Sequence, residues 1–315
     1  MSQYSPCSQG SMLSIGSEHT WPQQINDELV CLEEADEHYC AYGDTAQIWK
    51  RQMKSTGRMV SISIKGFRMV TTDGVNDINQ KFETVSVALL KLVRGWQSLD
   101  HQNIMPCLGV TLNYGLIASL VMPMCPDGSI NEYVKEHPNA NKLALLSQVA
   151  GGVAYLHSRG VVHGKICGRN IVIAPNGRPL ITDTGLTQVI QVQEGIFPWR
   201  LPSESIRWMA PELLTSELDD ACTTSSDVWA LAMTILEVIS GEMPYHPRRQ
   251  VHATGLAIMD GVLPQRPENG TMSDDLWDAL NMMWTQNPDI RPHAPFVQWQ
   301  LDVLRHDMEH PLYKL

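Results

Sequence analysis

The order in which hydrophobic periods change along the chain predicts an α+β fold of two lobes, a small antiparallel-sheet lobe with one helix followed by a larger, mainly helical one. Between about 37 and 72 apolar and polar side chains alternate, most strictly in Val60-Ser61-Ile62-Ser63-Ile64, which is the period of a strand. Over 80–99, Val85, Ala88, Leu89, Leu92, Val93 and Trp96 recur at three and four, the stripe of an amphipathic helix. Beyond about 123, helical periods dominate. Strands gathered ahead of helices are the α+β arrangement. A chain of 315 residues with 43% hydrophobic side chains is long enough to bury one sizeable core.

Residues 1–36 begin rich in Ser and Gln and end in the acidic cluster Glu33, Glu34, Asp36 and Glu37. Without a sustained apolar period, this segment reads as a flexible tail. Ser55-Thr56-Gly57 marks a hairpin turn ahead of the alternating strand. The 80–99 helix lies on that sheet, and further strands follow around 107–123. Helices are expected over 141–157, 226–240, 273–284 and 294–305, separated by loops containing Pro and Gly. The expected division is a tail to 36, a domain over 37–305 whose lobes meet near 124–125, and a C-terminal tail over 306–315.

A formal net charge of −11 argues against nucleic acid and anionic membrane as partners, because both demand a basic face. Seven cysteines without paired close spacing, and a polar start lacking the regions of a secretory signal, lead to the expectation of a reduced, cytoplasmic protein. The most apolar stretch, Leu231 to Ile239, is interrupted by Glu237 and is too short to cross a bilayer.

Four segments carry chemistry: VVHGKICGRNIVI at 161–173, ITDTGL at 181–186, MAPELL at 209–214 and SSDVWALA at 225–232, with Lys65 on the upstream strand. Their order and separation resemble a eukaryotic protein kinase over about 37–305. Their phrasing resembles the tyrosine-kinase-like branch, where some members read HGDLKGSN in the loop. The resemblance implies a two-lobed kinase fold with an ATP cleft. It makes Lys65 the lysine that pairs with the α- and β-phosphates, and Asn170 and Asp183 the metal ligands. It sets Ile48, Ser63 and Val172 about the adenine, with a carbonyl from Pro123 and an N–H from Cys125. Read without the resemblance, the adenine set also serves as ordinary core, Lys65 as a solvated strand lysine and Asp183 as a turn carboxylate. Gly43 is the one glycine left of a glycine-rich loop, and Asp44 beside it repels phosphate. Glu212 and Arg291 resemble the family's buried ion pair, and Asp227 the helix residue that braces the catalytic loop.

The same carry-over exposes departures. Lys165 stands where the family's general base accepts the substrate proton, and an ammonium has no lone pair to accept it. Cys167 replaces the loop lysine that stabilises the transferring phosphoryl group. With an effective dielectric of about 20, Lys165 about 6 Å from a divalent metal would oppose it by roughly 5 kcal/mol. A direct Lys165–Asp183 ion pair is therefore expected in place of the metal. Leu92 occupies the position of the helix glutamate that holds the strand lysine. Glu83, nine residues earlier, is about 13 Å away along the axis, so Lys65 is expected to lack a carboxylate partner. Thr184 replaces the usual aromatic, and Gly164 removes the arginine that would clasp a phosphate on Thr187, Ser203 or Ser205.

These departures lead to the expectation of a pseudokinase that binds ATP weakly or not at all, with Mg²⁺ disfavoured. It would act through signalling proteins as partners, an active kinase among them. The intact Lys65, Asn170 and Asp183 keep two enzymatic readings open: a weakly active Ser/Thr or Tyr kinase, and another transferase activity on the same nucleotide site.

Overall fold

The computed structural model describes residues 29–30, 41–42, 46–55, 58–68, 75–112, 114–115, 117–191, 204–215, 222–268 and 270–309. The small lobe is built on two ten-residue strands, β3 (Ala46–Ser55) and β4 (Arg58–Phe67), paired antiparallel along their whole length. β5 (Gly109–Thr111) and β6 (Ser119–Pro123) extend the sheet beyond β4. On the other side of β3, β1 (Leu29–Val30) pairs with Met53 and Gln52, and β2 (Ala41–Tyr42) with Ile48 and Gln47. β1 falls inside the segment read as a tail. Two residues are too few to show a period, which is why the sequence pattern passes over them.

The alternation along β4 divides its side chains between two environments. Lys65 and Ser63 face the cleft, whereas Ile62 and Ile64 are fully buried on the opposite face with Met53 and Val121. That outer face is sealed by a stack. The Arg51 guanidinium lies 5.5 Å from the Trp49 ring and 5.3 Å from the Tyr114 ring, and its Nε donates to the Tyr114 hydroxyl at 2.9 Å. A cation between two aromatic faces is held by their quadrupoles while its stem covers apolar surface.

α1 (Val75–Gln97) begins earlier than the expected 80 and buries Val85, Leu89, Val93 and Trp96 against the sheet. The Trp96 indole donates to the Met105 carbonyl at 2.6 Å. The Met105 N–H in turn donates to Ile181 in β8 (Pro179–Ile181), the partner of β7 (Ile171–Ile173). The connection after α1 is thus stitched to the large lobe.

The large lobe contains α2 (Ile130–Glu136), α3 (Lys142–Ser158), α4 (Leu186–Gln191), α5 (Glu212–Thr215), α6 (Thr224–Ser240), α7 (Val251–Met259), α8 (Asp274–Met283) and α9 (Ala294–Glu309). The helices expected at 141–157, 226–240, 273–284 and 294–305 correspond to α3, α6, α8 and α9. The sequence reading lacks α7 because its residues, VHATGLAIM, are apolar nearly all round and show no stripe. The fold is α+β. Among the described residues no helix is long and apolar enough to cross a membrane.

α6 is the axis of the large lobe, with every residue from Ser226 to Ile239 buried. Arg291 fastens the surrounding elements to it. Its side chain is fully buried, makes two hydrogen bonds to Glu212 at 2.6 and 2.7 Å, donates to the Ser225 and Thr285 carbonyls, and lies over the Trp229 ring. Removing the guanidinium leaves Glu212, about a quarter exposed, without its partner and the Ser225 and Thr285 carbonyls without their donor, which costs about 1–3 kcal/mol. Arg291→Met should lower the unfolding free energy by that order. Urea denaturation would show it as a lower midpoint at unchanged slope, and a loss below about 1 kcal/mol would contradict this account of the pair.

Candidate nucleotide site and catalytic loop

Asp227 sets the geometry of the loop between α3 and β7. Its buried carboxylate accepts the N–H groups of His163 and Gly164, each at 2.8 Å, and the Nε2–H of His157 at 2.9 Å. The loop then closes on itself. His163 donates from Nε2 to the Thr182 carbonyl at 2.8 Å and accepts the Lys165 N–H on Nδ1 at 3.1 Å, so the two bonds fix its tautomer. Asn170 donates its amide to the Lys165 carbonyl at 2.9 Å, which leaves the amide oxygen available to a ligand.

A second buried carboxylate, Glu237, holds the same loop from beneath. It accepts from the Asn131 amide at 2.6 Å and from the Gly168 N–H and the Trp208 indole, each at 3.0 Å. Burial pushes its carboxyl above the usual range, and these donors only partly offset that. The sequence offered a signal for this residue, since an acid in the middle of an apolar helix must find partners, but not the identity of the partners.

Lys65 sits in register with Ile48 on β3 and Leu120 on β6. Its ammonium makes an ion pair with Asp183, both side chains being about nine-tenths buried. This corrects two expectations. Lys65 does have a carboxylate partner, supplied by the large lobe rather than by α1, and the direct bond to Asp183 comes from Lys65 rather than from Lys165. The reason is placement: strand and turn hold the two side chains end to end, while Lys165 acts on Asp183 as a weaker charge from further off. Burial alone would raise the Asp183 carboxyl. The Lys65 ammonium, by charge and hydrogen bond, holds it below the usual carboxylate range.

Asp183 has a left-handed backbone, φ 65°, and its Oδ1 is buried without a hydrogen-bond partner, as is the Thr184 hydroxyl. A non-glycine residue held in that region with an unsatisfied carboxylate oxygen is the kind of strain that collects at functional sites. The set fits a cation in part: the Asp183 oxygen and the Asn170 amide oxygen are the right donors, and the two lysines oppose it. Leu92 is half-buried and packs against this turn, since a β-carbon on Gly185 would lie 3.0 Å from its Cδ1.

The residues assigned to the adenine lie along the cleft. Ile48 and Val172 are half-buried on β3 and β7, one in each lobe. The Ser63 hydroxyl is 3.4 Å from the carbonyls of Met122 and Pro123. Cys125 is half-buried, and burial, with Asp127 adding to it, pushes its thiol up to about 11. Cys167 is buried in the core beneath the loop. Gly43 and Asp44 lie outside the described residues. Gly164 has φ 76°, and a β-carbon there would meet Cys222 Sγ and Thr187 Cβ, each at 3.2 Å. The space an arginine stem would need is filled.

The lowered Asp183 carboxyl gives the ion pair a definite pH dependence. Because the folded value lies below the unfolded one, its stabilisation is complete above the ordinary carboxylate value, about 4, and fades as the pH falls through the folded value. The stability difference between wild type and Asp183→Asn should be flat at neutral pH and shrink under acid. Denaturant melts across that range check it, and a difference that grows on acidification contradicts it.

The chain is similar to known protein kinases. The chain is 29% identical to mitogen-activated protein kinase kinase kinase 9 of Arabidopsis thaliana over 208 residues, 64% of this chain and 26% of the relative. It is 26% identical to MAP3K epsilon protein kinase 2 of the same plant over 265 residues, 81% of this chain and 18% of the relative. A third relative, mitogen-activated protein kinase kinase kinase mkh1 of Cytospora mali, is 29% identical over 220 residues, 68% of this chain and 12% of the relative. The chain thus spans about a quarter or less of these relatives' lengths. The family model for protein tyrosine and serine/threonine kinases matches residues 43–301, and the chain belongs to that family.

Proposed function

We propose that this kinase-family domain is a pseudokinase, a binding module that scaffolds or allosterically regulates signalling proteins without transferring phosphate at a useful rate. The observation that carries this reading is Lys165, an ammonium on a braced loop at the position that must accept the substrate proton. Loss of a general base costs about 10²- to 10⁴-fold. The ion pair with Asp183 also occupies Lys65, the residue meant for the phosphates. The relatives are named as mitogen-activated protein kinase kinase kinases, which favours a partner within such a cascade, including an active kinase. Nucleotide binding is weak on this reading and nearly indifferent to Mg²⁺, because the cations beside Asp183 already supply positive charge.

A weakly active kinase is the second reading, favoured by the unpartnered Asp183 Oδ1 and by Asn170, whose amide is fixed on the Lys165 carbonyl. Phosphoryl transfer is dominated by positioning and tolerates loss of its base to a degree. The two readings separate in one experiment. Radiolabelled γ-phosphate should not be incorporated into generic peptide or into the protein itself; incorporation that disappears in Lys65→Met would establish the enzyme instead.

Ligand binding raises the melting temperature by mass action, so nucleotide affinity is read from thermal shifts. Wild type should give a small shift, equal with Mg²⁺ or with chelator. Lys165→Asp removes one cation and should make the shift larger and Mg²⁺-dependent. Tight Mg²⁺-dependent binding by wild type, unchanged in Lys165→Asp, would refute the charge argument.

A further inference from the structure

The helix α9 is apolar on two faces. Ala294, Val297 and Leu301 are buried in the core of the large lobe. Beside them Gln298 and Asp302 reach α3: a β-carbon on Gly151 would lie 2.9 Å from the Gln298 amide nitrogen, and Asp302 accepts the Ser147 hydroxyl at 2.7 Å. The other side carries Phe296, Trp299 and Val303, which are 44%, 58% and 40% exposed. Their spacing of three and four puts them in one row, and the Phe296 and Trp299 rings lie 5.5 Å apart. The outward face of a surface helix is ordinarily polar. A continuous row of bulky apolar side chains is a surface that gains by being covered.

The sequence supplies a segment of matching chemistry at the end of the same helix. Residues 310–315, HPLYKL, lie outside the described residues. Pro311 cannot continue a helix and disfavours helical backbone at His310, in keeping with the end of α9 at Glu309. Along the axis, Val303 is about 9 Å and Trp299 about 15 Å from Glu309. If two residues reverse the direction of the chain, the remaining four cover about 13 Å, enough to pass Val303 and bring Leu315 to the edge of the Trp299 ring. The spacing also matches, because alternate residues of an extended chain are about 6.6 Å apart and residues four apart on a helix about 6 Å. Tyr313 and Leu315 therefore fall on one side at the interval of Val303 and Trp299. Lys314 is the one fully charged residue of the segment, and the carboxyl end of a helix attracts a cation. Asp302 is already paired with Arg305, but Asp307, one turn beyond Val303, has no ion-pair partner among the described residues. Residues 1–36, by contrast, contain no Lys or Arg.

We propose that residues 312–315 fold back along α9, with Tyr313 on Val303 and Leu315 against Trp299, as the chain's own cover for this face. Tethering raises the effective concentration of the segment, so a contact of two side chains is populated that would not hold a free peptide. The proposal does not rest on the reading of Lys165, since α9 packs on α3 and α8.

The test uses the full chain. The emission of Trp299 is obtained as the difference between each protein and the same protein carrying Trp299→Phe, a change that keeps the face apolar. In the Tyr313→Ser, Leu315→Ser double variant this emission should move to longer wavelength and be quenched more steeply by acrylamide than in wild type, at an unchanged circular-dichroism spectrum. The apolar dye anilinonaphthalene sulfonate reports exposed hydrophobic surface. It should bind the double variant more than wild type, and Trp299→Ser added to the double variant should remove the excess. Trp299 emission and dye binding that are the same in wild type and double variant would overturn the proposal. Self-association of wild type that Trp299→Ser abolishes and the two tail substitutions leave untouched would also overturn it, by making a second copy the occupant.

Discussion

The arrangement of the loop beneath the cleft depends on one buried carboxylate. Asp227 lies inside α6, and accepting two consecutive backbone N–H groups and a histidine is what makes its burial tolerable. In return it fixes where His163 and Gly164 begin, hence where Lys165 and Asn170 stand. Glu237, three turns further along the same helix, performs the corresponding service for Gly168. One helix therefore carries both anchors, and Arg291 fastens that helix to Glu212. None of these residues requires a proton to be transferred in the cleft, so the framework persists whatever stands at 165.

The substitutions around the cleft are accommodated by this frame rather than left as defects. Leu92 fills against Gly185 the region where a carboxylate would have reached for Lys65, and Lys65 is neutralised from the other side by Asp183. Cys222 and Thr187 close over Gly164. Cys167, with no charge to place, is absorbed into the core. Each change has a neighbour that takes up its volume or its charge.

The lobes and the long helices could be read from residue type at fixed spacing, because strand and helix periods are short-range rules. Asp227, the Glu212–Arg291 pair and the residues assigned to the cleft came instead from the resemblance to the kinase family, carried over position by position. The Lys65–Asp183 bond could be read from neither, because it joins residues 118 apart, and choosing between two lysines for one carboxylate is a matter of how two lobes are set against each other. β1 was too short to carry a period, and α7 too uniformly apolar to show a face.

The bond between Lys65 and Asp183 also bridges the two lobes, since one residue belongs to the sheet and the other to the helical body. It acts as a latch whose two halves are both encoded in the chain. A phosphate entering the cleft would have to compete with Asp183 for the same ammonium. An anion in that cleft would work against the clasp that draws the lobes together, whereas in a cleft that closes around its ligand the anion is itself the clasp.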